Sequence, residues 1–183
     1  AFEAQRRAET GRLPAIRALI MYPMNALVEA QLVRLRRSLD STTARAWLDS
    51  NRQGHRFFFG RYTGRTPVSG DRTDHKKGKP NKSKVSDLRV KLQDIASRAA
   101  IVAGDDARRY FLPSLDGAEM RSRWDMQDHP PDILISNYSM LNIMLTRQLE
   151  RPMLDMTRKW LQESADHVFH VVVDELHMYR GTA

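Results

Sequence analysis

The chain has 183 residues, 41% hydrophobic and 28% charged, no cysteine, a formal net charge of +8 and a sequence pI of about 10.1. One domain with a real core fits that length, and no apolar run approaches the roughly 18 residues of a membrane span. Disulfides, thiolate metal sites and cysteine nucleophiles are excluded; a reducing, cytoplasmic setting is expected, and 30 Lys and Arg against 22 acids favour a polyanionic partner, nucleic acid first.

The polar start AFEAQRRAETGR reads unlike a secretory signal. Residues 17–22, RALIMY, form a short apolar run closed by Pro23 and read as a buried strand. Residues 24–39 carry apolar positions at helical spacing, with Asn25 as a candidate N-cap. A second helix is predicted over 42–52, and RFFFGRY at 56–62 reads as the second strand. Residues 63–84 are rich in Gly, Pro, Ser, Asp and Lys, and predict a long exposed, flexible loop inserted within the domain. Residues 85–100 predict a helix with Val85, Leu88, Leu92 and Ile95 on one face. The stretch 101–130 is irregular apart from a short helix expected at 117–124. DILIS follows as a strand, then a helix starting near Met140 and capped by Asn137 or Ser139, then a helix over 153–164 and a last strand over 168–173. Strands alternating with helices predict an α/β fold, a mostly parallel sheet with helices on both faces. The continuous apolar runs predict strands buried on both sides.

In such a sheet, ligands collect beyond the carboxyl ends of the strands. The first strand releases Pro23 and Asn25 there, the second Thr63, Gly64 and Arg65, the third Asn137 and Ser139, and the fourth Asp174, Glu175 and His177. Adjacent carboxylates after an apolar run suit an ATPase. One holds a nucleotide-bound Mg²⁺ through water, and the next activates the attacking water. A rival reading takes His167, His170, Asp174 and His177 as metal ligands. Positions 167 and 170 lie an odd number apart, so an extended strand sends their side chains to opposite faces. Asn25 and Asn137 also serve as plain helix caps, but a helix N-terminus has free amides for an anion as well.

These residues resemble a known family. DELH is similar to motif II of superfamily-two helicases of the DEAD/DEAH-box kind. LIMYPMNALVEAQL resembles their motif Ia, YTGRT the T-G element after the next strand, and PPDILISNYSML the segment before motif II. All four occur in the family's order. DELHMYRG and PPDILISNYSMLNIMLTR resemble the branch of large bacterial DNA helicases associated with DNA repair and anti-phage defence.

The resemblance implies a RecA-like P-loop NTPase fold, with residues 1–183 forming part of a first motor domain. It implies ATP and Mg²⁺ as cofactors, Asp174 as the Mg²⁺ ligand through water, Glu175 as catalytic base, and His177 as a link to a second RecA-like domain and to nucleic acid. Pro23, Asn25, Thr63, Gly64, Arg65, Asn137 and Ser139 would contact a nucleic-acid backbone, DNA in preference to RNA. Subunits of a defence or repair complex would be further partners, and a membrane would not. No G-x-x-x-x-G-K-[ST] occurs in the chain, and AFEAQRRAET resembles the tail of the helix after that loop. The resemblance therefore places the phosphate loop and the second motor domain outside residues 1–183, and this segment alone is expected to be inactive. Two alternatives stand beside the helicase: a RecA-like module that binds nucleic acid or a partner without ATPase activity, and a metal-dependent hydrolase using Asp174, Glu175 and His177.

Overall fold

A computed structural model describes residues 12–74, 78–105 and 108–179. A five-stranded sheet runs through them, with strand order β5-β2-β6-β1-β7 and every pairing parallel. Its strands are β1 (Ala18–Met21), β2 (Phe59–Arg61), β5 (Glu119–Met120), β6 (Ile133–Ser136) and β7 (His170–Val173). A separate antiparallel hairpin joins β3 (Thr73–Asp74) to β4 (Lys79–Pro80). The helices are α1 (Asn25–Leu39), α2 (Thr42–Asn51), α3 (Lys82–Val102), α4 (Arg123–Asp128), α5 (Tyr138–Thr146) and α6 (Arg151–Glu163). The α/β expectation with a parallel sheet and flanking helices is met. Among the described residues no helix is long and apolar enough to cross a membrane.

The order of the strands decides where the helices go. From β1 the chain crosses over β6 to reach β2, then steps outward to β5. From β5 it returns to β6, and from β6 it crosses over β1 to β7. Right-handed crossovers running in opposite directions put their helices on opposite faces. So α1, α2 and α3 share one face, and α4, α5 and α6 share the other. An apolar cleft lined by Leu19, Leu134 and Val171 from the sheet and by Leu141, Met144 and Leu154 from α5 and α6 lies on that second face. The core draws on both sides: Val28, Leu32 and Leu35 of α1, Phe58 and Phe59 at β2, Leu134 and Ile135 of β6, and Met144 and Met153 of the other layer are all buried. Gly60 marks a close approach of sheet and helix, because a Cβ there would sit 2.6 Å from Met126 Sδ of α4 and 3.0 Å from the Met120 carbonyl oxygen.

Below the sheet a buried carboxylate ties three segments together. Asp132 accepts from Arg12 Nη2 at 2.7 Å, from Arg17 Nη1 at 2.6 Å and from the Phe58 amide at 2.8 Å. It sets the entry of β1, β2 and β6 into one plane.

Five expectations are corrected. Asn25 is not the cap of α1; Met24 holds that position and supplies no side-chain bond, and Asn25 is the first helical residue. The predicted loop 63–84 contains the β3–β4 hairpin, and α3 begins inside it at Lys82, capped by Asn81. On α3 itself, Val85 is exposed, whereas Leu88, Leu92 and Ile95 are half-buried against the body. The helix expected at 117–124 is instead strand β5 followed by α4 at 123–128. Among the described residues β7 is not buried on both sides: there it pairs with β1 alone, and Val171 and Val172 are 54% and 50% exposed. The segments AFEAQRRAET and RGTA, and residues 75–77 of the basic stretch, lie outside the described residues.

Candidate functional site

The carboxyl ends of the strands form one edge, and the predicted residues fall along it in the order the sheet dictates. At one end, the Asp174 amide donates to the Met21 carbonyl at 3.1 Å, so the β1–β7 ladder runs on to Asp174. The chain then turns abruptly. Glu175 adopts φ +52°, a left-handed conformation rare outside glycine. Such a backbone costs on the order of 1–3 kcal/mol and concentrates at functional sites. The Asp174 carboxylate accepts from the Glu175 amide at 2.9 Å, and a 3₁₀ turn over Leu176–Tyr179 follows. Both carboxylates are exposed. His177 Nδ1 lies 3.4 Å from Glu175 Oε2. The phenol of Tyr22 has its pKa raised, first by burial and then by the negative charge of Asp174, with Arg34 opposing.

The next two tips face each other. Connections leave β1 and β6 in opposite directions, so a crevice opens between these neighbouring strands at their carboxyl ends. The N-terminus of α1 enters it without a side-chain cap. The N-terminus of α5 enters it capped by Asn137, whose Oδ1 accepts from the Met140 amide at 2.8 Å. The Asn137 expectation therefore holds, and its Nδ2 donates across the crevice to Asn25 Oδ1 at 3.4 Å. Pro23 is half-buried beside them and Ser139 is exposed. Both helix ends present positive dipole and free amides to the same edge. With strands about 4.8 Å apart, Asn25 lies one strand and Asn137 two strands from the acidic pair.

The turn after β2 lies a third strand away. Thr63 is wholly buried, and its hydroxyl accepts from the Arg65 amide at 3.3 Å. Its own amide donates to Thr66 Oγ1 at 2.9 Å, and that hydroxyl donates to the Arg61 carbonyl at 2.6 Å. The Thr63 hydroxyl and amide are thus both engaged inside the turn. Gly64 and Arg65 are the exposed part, and no atom crowds Gly64.

Behind this turn lies a buried network that leaves no signature in the sequence. Arg123, 4% exposed, donates through Nη2 to the Thr63 carbonyl at 2.6 Å and lies over the Tyr62 ring at 5.2 Å. The Tyr62 hydroxyl donates to the fully buried Glu150 at 2.8 Å and accepts from Gln127 Nε2 at 2.8 Å. Burial first, and Glu150 second, raise the Tyr62 pKa. Burial also lowers that of Arg123. The motif RSRW gives no sign of this; only a register argument across β2 and α4 would have found it.

Among the described residues no group of three His, Asp or Glu side chains is arranged to hold a metal ion.

The fold and its edge define a class: an α/β domain with a parallel sheet, an acidic strand tip at one end, and helix N-termini beside it. Over 216 residues the chain is 34% identical to Druantia protein DruE of Escherichia coli (strain UMEA 4076-1). The match covers 99% of this chain and 12% of that protein, so the chain spans only a small part of the curated relative's length. No protein-family model matches the chain, and no solved structure matches it.

Proposed function

We propose that the chain works as a segment of an ATP-dependent DNA helicase or translocase, and that the whole protein serves in defence against phage. The observation that carries the reading is the single sheet edge on which Asp174 and Glu175 stand in line with the α1 and α5 N-termini. The motif resemblance and the similarity to Druantia protein DruE support it further.

In this reading the exposed carboxylate of Asp174 would hold a hydrated Mg²⁺, which would supply charge neutralisation at the nucleotide phosphates. The strained turn at Glu175 holds the second carboxylate apart from the first. Glu175 takes a proton from the water whose oxygen bonds to the terminal phosphorus as the bond to the departing diphosphate breaks. His177, beside Glu175, senses the state of that carboxylate and relays it to a second motor domain. The α1 and α5 amides, Asn25, Asn137 and Ser139, with Gly64 and Arg65 further along, hold a strand by its phosphates without reading bases.

Glu175→Gln in the full-length polypeptide is expected to lower ATP hydrolysis about 10²–10⁴-fold, the worth of a general base. DNA binding in a filter or anisotropy assay should survive. ATPase activity that persists removes Glu175 from this role.

The second reading, a binding module without ATPase activity, draws on the net charge of +8 and on the helix N-termini that share the edge. It differs in expecting DNA binding with no turnover from the full-length protein.

A further inference from the structure

Between β2 and β5 the chain makes a long excursion through the β3–β4 hairpin and α3. Its two ends meet behind the Thr63–Thr66 turn. The Arg123 amide donates to the Pro67 carbonyl at 3.1 Å, and the Arg123 guanidinium donates to the Thr63 carbonyl at 2.6 Å. Next to it Trp124 Nε1 donates to the Gly70 carbonyl at 2.7 Å, and Arg72 pairs with Asp128. Helix α4 thus grips the start of the excursion along its whole length.

The guanidinium is an expensive way to make that grip. It is buried beside the Tyr62 ring, with its Nε atom lacking a hydrogen-bond partner among the described residues. Glu150, fully buried in the same network, has one oxygen in the same condition, with Arg147 Nε 3.7 Å from it. A buried charge rarely improves stability over an apolar side chain of the same volume. What Arg123 does provide is direction. It fixes the Thr63 carbonyl inward, and with Thr66 it leaves Gly64 and Arg65 as the outward corner of the turn.

The geometry points to Arg123 as a positioning residue that holds the Thr63–Thr66 turn in the shape by which Arg65 meets a nucleic-acid phosphate. The inference rests on the nucleic-acid reading given above. Arg123 never touches the strand; its effect passes through the turn. The phosphate contact of Arg65 depends on it, whereas contacts at α1 and α5 do not.

The test is a double-mutant cycle on the full-length protein, read by anisotropy with a fluorescent single-stranded oligonucleotide across a salt series. Arg65→Ala should weaken binding and reduce the salt slope by roughly 1, as expected for one lost phosphate contact. Arg123→Met should weaken binding by a similar roughly five- to tenfold and reduce the slope alike. The double variant should bind no worse than Arg65→Ala alone, and Arg123→Lys should recover part of the loss. Thr66→Val, which removes the hydroxyl bonds of the turn but leaves α4 intact, is expected to copy Arg123→Met and keeps the test alive if the methionine variant does not fold. A folded Arg123→Met protein that binds as wild type, or losses that add in the double variant, would overturn the positioning role alone. Wild-type protein that binds no oligonucleotide at low salt overturns the nucleic-acid reading and this role with it.

Discussion

At the residue scale, two buried carboxylates show how differently burial acts on charge. Asp132 is paired with Arg12 and Arg17 and also accepts the Phe58 amide. Removing it takes away the buried acceptor that Arg12, Arg17 and the Phe58 amide share at the base of the sheet. Asp132→Ala is expected to cost about 3–5 kcal/mol, the range for breaking a buried ion pair, read by urea denaturation. Asp40 sits on the opposite side of the balance. Burial raises its pKa, and the Arg45 ion pair at 2.9 Å offsets only part of that. Its folded state therefore holds the proton more tightly than the unfolded state does. The contribution is most favourable below the unfolded value of about 3.9 and is lost as pH rises through the higher folded value. Asp40→Asn should remove this trend, so wild type loses ground to the variant as pH rises from about 4 toward neutral in paired denaturation curves. Neither role was legible in the sequence, because an aspartate in a polar run looks the same whether it is buried or solvated. The acidic pair at 174–175 was legible, because an apolar run stops at it. The left-handed backbone of Glu175 was not.

At the scale of elements, apolar runs announced β1, β6 and β7, and helical spacing announced α1, α2 and α6 to within a few residues. Strand β5 escaped because it is two residues long and carries a glutamate; Glu119 is tolerated there because Arg36 meets both of its oxygens. The exposure of β7 escaped because a run of valines shows that a strand prefers burial, not how many neighbours it has. The start of α3 was hidden among lysines, where a single Asn81 cap decides the boundary. The N-terminus of α5 allows a clean separation of structure from function. Aspartate caps a helix as well as asparagine does. Asn137→Asp should leave thermal stability within about 0.5 kcal/mol while placing a negative charge where the account puts a phosphate. Oligonucleotide affinity should then fall, and unchanged affinity would remove Asn137 from the binding edge.

At the scale of the whole molecule, the sequence and the fold agree on one feature above the others: unlike residues brought to one edge by a parallel sheet whose connections reverse between β1 and β6. The carboxylates, the uncapped α1 and the Asn137-capped α5 lie within three adjacent strands. The net charge of +8 would supply long-range attraction for the polyanion proposed at this edge. The turn at Gly64 and Arg65 extends the line by one further strand. The proposed role of this edge is to couple ATP hydrolysis to a bound strand. Phosphate release by the full-length wild-type protein, measured with and without single-stranded DNA, decides whether it does. Turnover should rise when DNA is added and disappear in Glu175→Gln. DNA bound tightly with no phosphate released at any ATP concentration would contradict it.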